Sequence, residues 1–257
     1  MNKVFIPRIE FQDFPLEKES ELFVYFLSEK RWISLFEKVY PTLCESLRNV
    51  NDKERATLIC KDFIRTFRES NKDTIQTSTA QLQTKWSVLS VDFLKNIAEH
   101  FQTDWPRDKE AIAGYISILP VYPRFLDTYS FCVGYKDTSA AIETVAHEIL
   151  HFLWFKKWSE VFPEASSKEF ESPHLVWRLS EIMDPIILQC HPMIRELIKP
   201  KKWGYSSFAS IKIGGVSMTD HFKKLYLDSV GAGDSFEGFL VKALKEAEKY
   251  KEIISTF

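Results

Sequence analysis

The stretch Thr144-Val-Ala-His-Glu-Ile-Leu-His-Phe-Leu-Trp154, TVAHEILHFLW, decides how this chain is read. His147 and His151 stand four positions apart, with Glu148 beside the first. On an α-helix, residues at that spacing lie one turn apart on one face. Their imidazole nitrogens can then meet one metal ion at ~2.0–2.1 Å. Glu148 is rotated from His147 by roughly a quarter turn, so it can reach a water at the metal without taking a metal position. No other charged residue lies between Thr144 and Phe155, and an uncharged helix buries well. Burying His-Glu-His without a compensating partner is costly. The plain alternative is a core helix whose histidines find ordinary hydrogen-bond partners.

Working outward, Asp137, Thr138 and Ser139 offer N-cap oxygens for a helix over 140–158 that carries this stretch. Two runs before it, 114–120 and 129–135, are rich in β-branched and apolar residues and predict strands. After it come a loop at 163–167, a helix over 173–189 with Pro173 near its start, a turn at Gly214-Gly215, and helices near 218–229 and 235–254. The N-terminal region shows a strand signal within 3–12. Helical spacing follows over 17–40, 42–49, 53–70 and 74–102. Asn51 and Glu54 have capping-box spacing at the head of the third of these. The first glycine is Gly114, and repeated βα units need glycine turns early. The expected fold is therefore mainly α with a small β-sheet, an α+β class. Residues 1–110 form a helical N-terminal region and 111–257 the site-bearing region, as one domain or as two lobes.

Composition narrows the function classes. The formal net charge of -2 gives no reason to expect nucleic acid or an anionic membrane as partner. No run reaches ~18 apolar residues, so no membrane span is expected. The N-terminus lacks the pattern of a secretory signal. Cys44, Cys60, Cys132 and Cys190 form no CxxC pair and read as reduced thiols, which fits a cytoplasmic location.

His147-Glu148-Ile149-Leu150-His151 resembles the active-site motif of the zincin metallopeptidases. The resemblance implies a bound zinc ion, a peptide or protein substrate, and Glu148 as general base. It also implies an active-site helix followed by a helix with a third ligand. The metzincin extension is absent, since Trp154 and Lys157 fall where glycine and a third histidine would be. A gluzincin-like carboxylate remains, and Glu181 in Trp177-Arg-Leu-Ser-Glu-Ile-Met-Asp-Pro185 supplies it, with Asp184 and His174 as alternative ligands. The plain alternative for Glu181 is an ion pair with Arg178, three positions before it. Asp184 also falls near where gluzincins place a carboxylate that orients a histidine ligand. His221 and Tyr205, then Tyr226, are the candidate donors to a developing oxyanion. The strand before the site helix is implied to be a sheet edge that pairs with extended substrate.

Two other readings stand beside this one. A zincin-like chain can lose or change its activity and act by binding. Separately, Asp228-Ser-Val-Gly-Ala-Gly-Asp-Ser-Phe236 resembles the anion-hole signature of ribokinase-like sugar kinases, with Asp234 as the base. The structural alternative is a helix junction, with Gly231 and Gly233 ending one helix and Asp234 and Glu237 capping the next.

Overall fold

A computed structural model describes residues 5–201, 204 and 206–256. Among them the chain is mostly helical with a small sheet, as an α+β fold requires. No described helix is long and apolar enough to cross a membrane. The chain divides into two compact units, residues 8–88 with 111–145, and residues 1–7 with 89–110 and 146–257.

The first unit holds the four-stranded sheet. Strand β1 (Arg8–Asp13) leads into α1 (Leu16–Ser28), α2 (Lys30–Val39), α3 (Pro41–Leu47) and α4 (Lys53–Ser70). Helix α5 (Lys72–Phe101) begins here and ends in the other unit. Strands β2 (Ala111–Ser117), β3 (Arg124–Phe125) and β4 (Ser130–Gly134) complete the sheet in the order β1-β2-β4-β3. β1 and β2 run parallel from Arg8 opposite Ala111 to Asp13 opposite Ile116. β2 and β4 are also parallel, from Ala113 opposite Ser130 to Ser117 opposite Gly134. Parallel neighbours need long crossovers, and the run from α1 through α5 supplies the first. β4 is not the expected sheet edge, because β3 pairs antiparallel with Ser130 and Phe131. Gly114 lets Phe11 and Phe131 close over the sheet: a Cβ there would stand 2.6 Å from Phe11 Cδ1.

The single helix expected over 17–40 is broken at Glu29, whose backbone is extended. The break turns α2 back so that Phe36 packs edge-on against Phe23, at 5.5 Å between ring centres, and both rings are fully buried. The cap of α4 is Asp52, which accepts from Arg55 N at 2.6 Å, rather than the expected Asn51. Asp137 caps the next helix as expected, accepting from Ser139 N and Ala140 N at 2.8 and 3.1 Å.

That helix, α6 (Thr138–Val161), passes from the first unit into the second at residue 146. The second unit continues through a 3₁₀ turn (Ser167–Phe170), α7 (Leu175–Cys190), α8 (Pro192–Ile198) and α9 (Ser206–Ser210). A two-stranded hairpin follows, β5 (Lys212–Ile213) and β6 (Val216–Ser217). Its turn residues Gly214 and Gly215 both take positive φ, which glycine adopts at no steric cost. Helices α10 (Met218–Gly231), α11 (Phe236–Lys249) and α12 (Lys251–Ile254) end the chain. Phe101, Trp105, Trp154, Trp158 and Phe236 build the aromatic core of this unit. α6 from Val145 to Phe155 is buried on nearly every side, as its lack of charge predicts.

Candidate metal centre

The second unit brings His147 and His151 of α6 together with Glu181 of α7. The two Nε2 atoms are 3.1 Å apart. Glu181 Oε2 lies 3.3 Å from His147 Nε2, and Oε1 lies 3.4 Å from His151 Nε2. Donors bound at ~2.0–2.1 Å to a tetrahedral ion stand roughly 3.3–3.4 Å from one another. The observed separations match that figure, so the group can hold a metal ion with one position left open.

Two contacts set the pose of His151. Phe155, one turn further along α6, stacks on its ring at 5.7 Å with the planes 10° apart, and Phe170 stacks on Phe155 at 4.7 Å. On the other edge, Asp184 Oδ2 lies 2.9 Å from His151 Nδ1, with both side chains fully buried. The approach is at ion-pair distance but off the line of a straight hydrogen bond, and Asp184 has no other partner among the described residues.

Counting protons tests whether hydrogen bonds alone satisfy the group. With Asp184 at its Nδ1, His151 carries its proton there and presents a bare lone pair at Nε2. That lone pair faces His147 Nε2 and Glu181 Oε1, while Glu181 Oε2 also faces His147. One proton on His147 Nε2 serves only one of these acceptors at a time. The rest converge with nothing between them, which is costly in a buried place and is relieved by a cation.

The electrostatics agree. Burial works to keep His147 neutral, but its hydrogen bond to Glu181 and the charges of Glu181, Glu148 and Asp184 outweigh that, and its pKa is pushed up to about 9. Burial would likewise raise Glu181, yet His151 and His147 hold it well below the usual carboxylate range. The group is a sink for positive charge. Its open side is at His147, whose side chain is 24% exposed while His151 is fully buried. Glu148, the next residue on the helix, is 6% exposed.

The other candidates lie elsewhere. His174 is exposed at the N-cap of α7, seven residues before Glu181, and is not in the group. Asp184 sits behind His151 rather than among the converging donors. Arg178 does not make the expected partner for Glu181 with its Nε and Nη1, which donate to the carbonyls of Pro173 and Ile254. His221 bonds Glu246 at 2.9 Å and packs on Tyr250, away from the donors. Tyr226 is buried and bonds His100 at 3.2 Å. Tyr205 lies outside the described residues. Inspection of the sequence missed Phe155, although its spacing of four from His151 is the same signal that linked the two histidines.

The Gly231–Asp234 run is a helix junction. α10 ends at Gly231, Gly233 takes φ +73, and Asp234 N bonds back to Ser229 O at 3.1 Å. Ser235, not Asp234, caps α11 by accepting from Gly238 N, and Phe236 N is taken by Gln102. Asp234 instead pairs with Lys242. Two amides at the head of α11 are thus already bonded within the chain.

No family model, no curated protein and no solved structure matches this chain. The functional reading rests on the residues themselves.

Proposed function

We propose that this chain is a zinc-dependent metallopeptidase of gluzincin type, with His147, His151 and Glu181 as ligands and Glu148 as general base. The observation that carries the reading is the spacing of the three donors, at 3.1, 3.3 and 3.4 Å from one another. Two imidazoles and one carboxylate are a donor set that suits zinc, whereas calcium and magnesium favour oxygen alone. When bound, zinc supplies Lewis acidity toward a peptide carbonyl and toward water.

The remaining steps belong to side chains. His147 and Glu181 give up the proton they share in the free site. Asp184 holds the Nδ1 proton of His151, which keeps Nε2 available as a donor. Phe155 keeps that ring from turning. Glu148 takes a proton from the attacking water onto a carboxylate oxygen and returns it to the leaving amine. The exposed edge of His147 is the side from which substrate enters. His221 is not assigned to the oxyanion, since its ring is engaged by Glu246.

Elemental analysis of the purified, zinc-reconstituted chain tests the site, and about one zinc per chain is expected. Hydrolysis of a quenched fluorescent peptide mixture tests the activity. Glu148→Gln is expected to retain zinc and lose hydrolysis by roughly 10²–10⁴-fold. A wild-type chain that binds zinc but cleaves nothing would point to the binding-only reading. One that takes up no zinc would end both.

A further inference from the structure

Glu181 is the one donor of the group that α6 does not carry, so the metal geometry depends on how α7 is held. The N-cap of α7, His174, makes no side-chain hydrogen bond to the helix. What anchors this end is Arg178, one turn before Glu181. Its Nε donates to Pro173 O in the loop entering the helix, at 2.8 Å, and its Nη1 donates to Ile254 O in α12, at 3.1 Å. Arg178 is 7% exposed, and Ile254, 76 positions away, is fully buried.

A buried guanidinium is expensive to desolvate, and an apolar side chain packs such a place at less cost. Arg178 differs from one in two ways. Its rigid planar fork reaches two acceptors in fixed directions, which neither a leucine nor a lysine can do. It is also a buried cation on helices that carry three buried carboxylates, Glu148, Glu181 and Asp184. A divalent ion would balance the charge that remains.

These two roles predict opposite signs for metal binding. A nearby cation repels a metal ion, so if Arg178 acted through charge alone, removing it would tighten binding. If it acts through position, removing it lets α7 shift and binding weakens. We infer that Arg178 is a positioning residue for the metal centre: by clamping the start of α7 to the carbonyl of Ile254, it makes α12 part of the support of Glu181. This rests on the metal-site reading above.

The test uses cobalt(II) as the probe, read by its visible absorption, with zinc affinity measured by competition against a chromophoric chelator. Arg178→Met and Arg178→Lys are compared with a chain whose Lys251–Ile254 segment is replaced by Gly-Ser-Gly-Ser. Circular dichroism at the assay temperature establishes which variants are folded, and Arg178→Lys stands in should Arg178→Met fail to fold. Each is expected to bind metal roughly tenfold more weakly, the loss typical of a support removed from behind a ligand. The cobalt spectrum is expected to change in intensity as the Glu181 geometry relaxes. Combining Arg178→Met with the segment replacement is expected to cost no more than the larger single change, because both break one link. Affinity within twofold of wild type in the folded variants, an unaltered cobalt spectrum, or tighter binding in Arg178→Met overturns the inference. If wild type itself binds neither cobalt nor zinc, the metal-site reading has failed, and this inference goes with it.

Discussion

Each unit of the molecule buries carboxylates, and the two treat them differently. In the first unit Glu19 has no exposed surface, yet four hydrogens from the chain meet it. Arg68 donates from Nε and Nη2 to Oε2 at 3.0 and 2.8 Å, and Ser117 Oγ and Ile118 N donate to Oε1 at 2.7 and 2.9 Å. Arg68 Nη2 also reaches Ile116 O at 2.7 Å. The result ties α1 and α4 to the end of β2 and needs nothing from outside. In the second unit Glu181 and Asp184 face two imidazoles that together offer too few protons. Burial of charge is common to both places. Only the second leaves lone pairs converging on an unfilled point, and that distinguishes a candidate functional site from a structural network.

The largest expected effect lies on the structural side. Glu19→Ala strands Arg68, Ser117 and Ile118, and breaking a buried pair of this kind costs ~3–5 kcal/mol. Urea unfolding should show that loss equally with and without a chelator. A loss under about 1 kcal/mol would mean that water replaces the carboxylate and that the network is not closed. The next effect belongs to the other unit. With free zinc at about 100 times its dissociation constant, wild type gains ~2.7 kcal/mol over the metal-free chain. Chelation should remove that gain, while the stability of Glu181→Ala should not respond to chelator at all. A response of equal size in Glu181→Ala would break the contrast between the units.

The two regions also differed in how far the sequence displayed them. His147 and His151 were readable because helical spacing alone puts them together, and Glu181 because it lies on the next long helix. Nothing near Glu19 announced its network, since its partners are 49 and 98–99 positions away and include a backbone N–H. The break at Glu29 was equally hidden. No glycine or proline marks it, and it exists because Phe36 gains more from packing on Phe23 than a continuous helix gains from one more turn. At α4, Asn51 and Asp52 are both good caps, and one position of register separates them. Arg178 was misread for a simple reason. Spacing of three on a helix suggests a pair with Glu181, but the guanidinium finds carbonyls brought close by the fold.

Asp184 sharpens the comparison at a smaller scale. On the metal reading it acts only through His151. Asp184→Asn keeps the volume, removes the charge behind the ring, and is expected to weaken zinc binding by roughly 10–100-fold. Stability measured without metal should hold or rise, because a buried and poorly bonded carboxylate is removed. If Asp184→Asn instead lowers metal-free stability as Glu19→Ala does, Asp184 belongs with the structural class.

The smallest effect is expected where sequence resemblance was strongest outside the histidine motif. Asp234 is bonded to Lys242, whose side chain is 51% exposed, at a junction where Ser235 already caps the following helix. Its carboxyl is held below the usual range, first by Lys242 and then by Ser229. The group is solvent-screened, so Asp234→Asn should change stability by less than about 1 kcal/mol. It should leave zinc content and peptide hydrolysis untouched. A base in phosphoryl transfer would behave otherwise: titration with ATP and magnesium would show binding to wild type, and Asp234→Asn would lose turnover rather than a few tenths of stability. Binding of that nucleotide at micromolar concentration would move the Gly231–Asp234 run out of the structural class. Its absence leaves this carboxylate, like Glu19, satisfied by the chain.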